Sequence, residues 1–194
     1  IIFIREKMNT VVRGRKDLES MTIPFVGEIP LAFRKKGNRF SRQPKEEKCA
    51  VVVKDKSRNV INEAFRVVRT NLEFVVGKER ASNVIMLTSA NPGSGKTFIT
   101  FNLATSLAIK GKRVIAIDLD LRKGSLSEYA GRPKAGISDY LVGQVNRIDE
   151  VVIRSDNANL DIIPVGTIPP NPTELLFAER LEQLVDNLRK EYDY

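Results

Sequence analysis

The chain has 194 residues, 42% of them apolar, with one cysteine, no histidine and a formal charge of +8. That length holds one fair-sized α/β domain plus an extension; a single Cys49 excludes an internal disulfide and suits a reducing compartment, and the missing histidine removes Ser-His-Asp catalysis and His-ligated metals, leaving oxygen-ligated Mg²⁺. Residues 1–60 carry 15 Lys/Arg against 7 Asp/Glu while residues 61–194 carry 17 of each, and no aromatic platform interleaves the basic excess, so nucleic-acid recognition is not expected.

The chain opens Ile1-Ile2-Phe3-Ile4 without an initiator methionine, as a fragment would whose start cuts through an apolar segment. Four residues are too few for a membrane span, which needs about twenty. Arg5, Lys7, Arg13, Arg15 and Lys16 follow, then Arg34-Lys35-Lys36, Arg39, Arg42, Lys45 and Lys48. That sign is expected on the cytoplasmic side of a transmembrane helix, beside anionic lipid heads; an ordinary basic tail is the plain alternative. The chain therefore divides into 1–4 as the end of a transmembrane helix, 5–56 as a basic juxtamembrane linker, and 57–194 as the folded domain. Residues 49–53 predict an edge strand. Residues 57–75 predict an amphipathic helix, because Ile61, Phe65, Val68, Leu72 and Val75 follow the 3, 4, 7 spacing of one buried stripe. Glu63, Arg66 and Arg69 fall outside that stripe, where a solvated flank with a local Glu63–Arg66 pair is the simplest reading.

The apolar run 84–87 predicts a strand, and the helix-compatible run 96–109 a helix. Between them Ala90 to Thr97 reads A-N-P-G-S-G-K-T. A strand feeding a glycine-rich turn and a helix start aims successive backbone N–H groups and the positive end of the helix dipole at one small volume. Gly93 and Gly95 let the main chain approach an anion, Lys96 reaches the outer phosphates, and the Thr97 hydroxyl can hold Mg²⁺. The nucleotide-binding set is thus Asn91, Pro92, Gly93, Ser94, Gly95, Lys96, Thr97 and Phe98. The first position of G-x-x-x-x-G-K-[ST] is Ala90, a small departure.

Strand 114–117 ends in Asp118-Leu-Asp120-Leu-Arg122. Side chains alternate along an extended chain, so the two carboxylates can face one side. The crevice beyond the strand C-termini of a parallel α/β sheet would bring them towards the phosphates. One can organise hydrated Mg²⁺ and the other accept a proton; the alternative is that Asp-x-Asp opens a turn or caps a short helix near 125–129. A helical and looped region runs through Leu141, a short segment covers 148–153, and a strand covers 160–163. The last helix is expected from Asn171 as cap, Pro172 in the first turn and Glu174 three residues after the cap, running to about Lys190 and burying Phe177, Leu181, Leu184 and Leu188. Tyr192 and Tyr194 are read as opening a strand, with a phosphorylation site as the alternative; Tyr129 and Tyr140 carry no assigned role.

With Asn91 in the loop and Asp118-x-Asp120-x-Arg122 after it, the chain resembles the bacterial tyrosine kinases. In the partitioning and cell-division ATPases of the same P-loop branch, a second lysine occupies the position of Asn91. Gly166-Thr-Ile-Pro-Pro-Asn-Pro-Thr-Glu-Leu-Leu176 resembles a further family segment. Glu63-x-x-Arg66-x-x-Arg69 resembles the family's self-association motif, and 22–30 resembles its linker between membrane helix and kinase. The resemblance implies a P-loop NTPase fold of the MinD/ParA-like branch, with a mostly parallel sheet and helices on both faces. It implies ATP and Mg²⁺ as cofactors, transfer of the γ-phosphate to protein tyrosine, and Lys96, Asp118 and Asp120 as catalytic residues, with Thr97, Asp118 and Asp120 at the metal. It also implies a ring assembled through Glu63, Arg66 and Arg69, and a place on the cytoplasmic face of the bacterial inner membrane. Polysaccharide export machinery and a cognate tyrosine phosphatase are the implied partners. The chain would then run from the second transmembrane helix of a polysaccharide chain-length regulator to just before the Walker B aspartate, without that acid or the tyrosine-rich tail. A membrane-tethered ATPase switch and a structural module glued by nucleotide are the rival readings.

Overall fold

The computed structural model describes residues 14–18, 22–31, 51–77 and 84–194. The apolar start, Cys49 and the basic residues between 32 and 48 lie outside the described residues. Among those described, no helix is long and apolar enough to cross a membrane.

Two four-residue runs rich in β-branched side chains build the sheet: β1 (Val114–Ile117) and β3 (Leu160–Ile163), with the short β2 (Ile153–Arg154) between them in sequence. The spatial order is β1-β3-β2. β1 and β3 are parallel, with Val114 opposite Leu160 and Ile117 opposite Ile163; β2 runs antiparallel to β3. Strand alternation divides the core in two. Val114, Ala116, Leu160 and Ile162 pack on one face with Phe65, Val68, Phe101, Ala104, Leu107 and Ala108. Ile115, Ile117 and Ile163 pack on the other with Ile137, Leu141, Leu184 and Leu188. Helices therefore cover both faces, as a parallel sheet requires.

Helix α1 is Val60–Val76 and α2 is Lys96–Ile109. α1 starts three residues later than its periodicity suggests, because the Asn59 side chain accepts from the Asn62 amide (2.7 Å) and sets the cap there. Phe65 and Val68 are buried as expected, whereas Val75 is half exposed. α2 is buried from Phe101 to Ala108, since the sheet lies on one side and α1 on the other. The expected edge strand at 49–53 is not formed over its described part. The Val52 and Val53 amides both donate to Oδ1 of the fully buried Asn102 (2.9 and 3.1 Å), so one α2 side chain stands in for a neighbouring strand.

Residues 84–89 also form no strand, and Val84 and Met86 are exposed. An apolar run needs a ladder partner, and the free edge of β1 is met instead by the last residues. Asp193 N donates to Arg113 O (2.8 Å), and Ile115 N donates to Tyr194 O (3.1 Å). Tyr192 and Tyr194 are expected to open a strand; none is formed at 192–194, although the backbone there bonds to the edge of β1. The Tyr192 hydroxyl donates to Asp161 Oδ2 (2.8 Å), and its pKa is raised by burial and by that carboxylate.

α3 is Ile137–Leu141, and the single helix expected from 171 to 190 is two: α4 (Pro172–Leu176) and α5 (Glu179–Glu191). Asn171 donates to Glu174 Oε2 (3.3 Å) and makes no backbone cap. Phe177 N and Ala178 N close i→i+3 bonds onto Glu174 and Leu175, which tightens the turn and leaves Ala178 extended. Leu184 and Leu188 are buried and Leu181 half-buried as expected, but Phe177 is 87% exposed because the break turns it outward.

Candidate phosphate-binding and catalytic site

The turn into α2 is built as its sequence demands. Gly93 (φ 79°) and Gly95 (φ 86°) occupy left-handed conformations that other residues adopt at a cost, and no atom stands within 4 Å of where a β-carbon would project from either. That open space over the helix N-terminus is what a close-approaching anion needs. Hydroxyls brace the turn: Ser89 Oγ and Ser94 Oγ both donate to Asn91 O (2.8 and 2.7 Å). Lys96 Nζ lies against Ser89 Oγ at 3.0 Å, folded back over the loop. Ser89 was not expected from the motif, although its place just before Ala90 could have suggested a partner for the lysine. Asn91 to Ser94 are exposed and Gly95 to Phe98 partly so.

A helix followed by a short return connection into an adjacent strand runs antiparallel to it. The N-terminus of α2 and the C-terminus of β1 therefore share one end of the sheet. Asp118 leaves β1 at that end: its amide donates to Ile163 O (2.9 Å) and its carboxylate is buried at 4% exposure. Oδ2 accepts from both Ser127 N (2.9 Å) and Ser127 Oγ (3.0 Å), and Oδ1 accepts from Asp120 N at 3.2 Å. Burial pushes the Asp118 carboxyl above the ordinary aspartate range, and the hydrogen bonds from Ser127 offset only part of that rise. Asp120 is exposed and Oδ1 accepts from Lys123 N (3.2 Å) in the turn that follows. The two acids thus differ in setting, because β1 ends at Ile117 and the alternation of an extended strand does not continue through them. Arg122 is exposed in the same turn.

The loop after β3 completes this end of the sheet. Ser127 Oγ accepts from Val165 N (2.8 Å), Ser138 N and Oγ both donate to Val165 O (3.0 and 2.7 Å), and Asp139 Oδ2 accepts from Gly136 N (2.8 Å) and Thr167 N (3.1 Å). Ser127, Ser138 and Asp139 carry no motif, and only their burial and partners reveal them. Burial alone would lift the Asp139 carboxyl, but the bonds from Thr167 and Gly136 outweigh it and hold the group below the usual 3.8. A depressed folded-state value means stability that is present above the unfolded value and is lost as pH falls through the folded one. Asp139→Asn is accordingly expected to cost most at neutral pH, with the gap to wild type narrowing below about pH 4 in urea unfolding. A gap that stays constant from pH 7 to pH 3 would remove this carboxylate from the acid response.

No group of three or more Asp, Glu, His or Cys among the described residues could hold a metal on protein ligands alone. Thr97 in the cradle and the acids after β1 are oxygen donors that could meet a cation carried by phosphate oxygens.

Glu63, Arg66 and Arg69 lie on α1. Glu63 and Arg66 form an exposed ion pair (2.7 Å). Arg69 turns inward: Nη1 donates to Ser106 O (2.7 Å) and Ser106 Oγ (3.3 Å), tying α1 to α2. Residues 22–31 pack along α1, with Asn71 Nδ2 donating to Val26 O (2.8 Å), and leave a groove of about 770 Å³ that Glu63 helps to line. Tyr129 stacks on Phe101 at 3.9 Å, and Tyr140 lies under the Arg180 guanidinium at 4.3 Å.

A left-handed glycine cradle opening a buried helix, at the end of an α/β sheet that also presents a buried carboxylate, defines a P-loop nucleotide-binding domain. Residues 82–194 match the family model described as an AAA domain. The chain is 43% identical over 132 residues to the putative tyrosine-protein kinase EpsB of Ralstonia solanacearum, covering 68% of this chain and 17% of that protein. It is 31% identical over 198 residues to a putative tyrosine-protein kinase in the cps region of Klebsiella pneumoniae, covering 100% of this chain and 27% of that one. The kinase domain of Escherichia coli tyrosine kinase ETK superposes with a TM-score of 0.76 at 31% identity, over 92% of this chain and 69% of that domain. The chain belongs to the bacterial tyrosine-protein kinase family. It spans about a quarter or less of the length of these two curated relatives.

Proposed function

We propose that this chain is the nucleotide-cradling part of an ATP-dependent protein-tyrosine kinase that autophosphorylates and regulates capsule or exopolysaccharide export from the cytoplasmic face of the inner membrane. The carrying observation is the buried Asp118 carboxylate, raised in basicity, at the sheet end where the glycine cradle opens. The amides of Gly93 to Thr97 and the Lys96 ammonium neutralise charge on the β- and γ-phosphates, and Thr97 and Asp120 support Mg²⁺. Bound Mg²⁺ supplies further charge neutralisation at the transferring phosphoryl group. The tyrosine oxygen forms its bond to the γ-phosphorus as the bond to the bridging oxygen breaks. ADP leaves with that electron pair, and the tyrosine proton passes to Asp118. The outward Glu63–Arg66 pair, on the helix that Arg69 anchors, is the self-association face of a ring. The basic residues of 1–56 sit against the membrane behind a transmembrane helix.

The rival ATPase switch is disfavoured by Asn91, which stands where that branch carries lysine. Incubating the full-length protein with γ-labelled ATP separates the readings. Labelled tyrosine supports the kinase; free phosphate without it supports the switch; neither supports a structural module.

A further inference from the structure

We infer that Ser127 is a positioning residue for phosphoryl transfer, clamping the Asp118 carboxylate through Oδ2 so that Oδ1 is the oxygen that receives the tyrosine proton. This rests on the reading of Asp118 as proton acceptor. Ser127 lies nine residues beyond Asp118, in the 3₁₀ turn Leu126–Ala130, and is 6% exposed. Its amide and its hydroxyl both reach the same oxygen, at 2.9 and 3.0 Å. The hydroxyl has only one proton, and the Val165 amide donates to its oxygen at 2.8 Å. That incoming donor occupies a lone pair and commits the hydroxyl proton to Asp118. The Val165 anchor is itself held, since its carbonyl accepts from the Ser138 amide and the Ser138 hydroxyl lies between the carbonyls of Val165 and Thr167. Oδ2 is thus saturated from one side, whereas Oδ1 has a single longer bond, from Asp120 N at 3.2 Å. A carboxylate held this way has one oxygen fixed and the other left with spare acceptor capacity, and misplacing a catalytic group by an ångström costs rate rather than binding.

A buried, satisfied serine is more often a packing element, so the test must separate the two roles. In the full-length protein, Ser127→Ala is expected to lower kcat for tyrosine phosphorylation about tenfold or more. The KM for ATP and the affinity for ADP should stay within about twofold, because the phosphate cradle is untouched. Ser127→Thr keeps both hydrogen bonds and should restore most of kcat. In an Asp118→Asn background, Ser127→Ala should have no further effect on residual turnover. Equal losses in kcat and ADP affinity, no rescue by threonine, or the same drop in the Asp118→Asn background would each overturn the assignment. Should the alanine variant not fold, Ser127→Cys, a weak donor of similar shape, takes its place with the same expectations. Wild-type turnover in Asp118→Asn alone would instead sink the reading of Asp118. An inactive Asp118→Asn beside a fully active Ser127→Ala would sink only the role of the serine.

Discussion

Replacing Lys96 by methionine is expected to lower tyrosine phosphorylation by the full-length protein on the order of 10²–10³-fold, the cost of removing one preorganised donor from a developing anionic charge. Among the described residues the ammonium bonds to Ser89 Oγ alone, at 3.0 Å, so its folded-state role is small. Ser89 and Ser94 keep their bonds to Asn91 O without it, and the left-handed glycines set the turn whichever side chain follows. Methionine matches the length and apolar stem of lysine and deletes the charge. Melting temperature should therefore move by no more than a few degrees while activity and triphosphate affinity collapse. Undiminished phosphotyrosine in the variant would mean that the cradle is not where the γ-phosphate reacts. A large loss of melting temperature would mean that the lysine is structural and that the activity loss says nothing about chemistry.

The parts of this molecule that were legible in its sequence are those decided locally. Helix 96–109 and strands 114–117 and 160–163 are found with their expected limits, because their apolar runs are bounded by glycine, charge or turn residues. Two expected strands are missing because a strand is a property of a pair. Residues 51–53 take their acceptor from Asn102, and residues 84–87 lack a neighbour where the chain's last residues approach β1. The expected C-terminal helix breaks at Phe177, where i→i+3 closure competes with continuation of the helix and no residue type announces the outcome. In the site, the loop and the acid pair are visible as spacings, yet their different burial is not. Asp118 is enclosed by Ser127 and the loop after β3, both distant in sequence. Arg69 shows the same limit. A motif places it beside Glu63 and Arg66, but helix geometry turns it onto Ser106 while they face solvent.

That same loop after β3 carries the largest expected effect on stability. Gly166 has φ +77°, and a β-carbon there would run into the Asp139 carboxylate and the Gly136 backbone, where two chain segments cross. Gly136 faces the crossing from the other side: a β-carbon on it would overlap the main chain of Pro164, Val165 and Gly166. Backbone cannot step aside as a flexible side chain can. Gly166→Ala thus adds the cost of a left-handed alanine, about 1 kcal/mol, to overpacking of about 1–3 kcal/mol and to the disturbed hydrogen bonds of Asp139. The total is on the order of 3–5 kcal/mol, a large fraction of ordinary domain stability and about a 10 °C fall in melting temperature. Gly111→Ala is the control, since its φ of +86° is as unfavourable but no atom lies within 4 Å of the added carbon; it should lose only the conformational part, about 1 kcal/mol. Equal losses in the two variants would show that the crossing yields. The site would then lose the fixed Val165 amide on which the clamp at Asp118 depends.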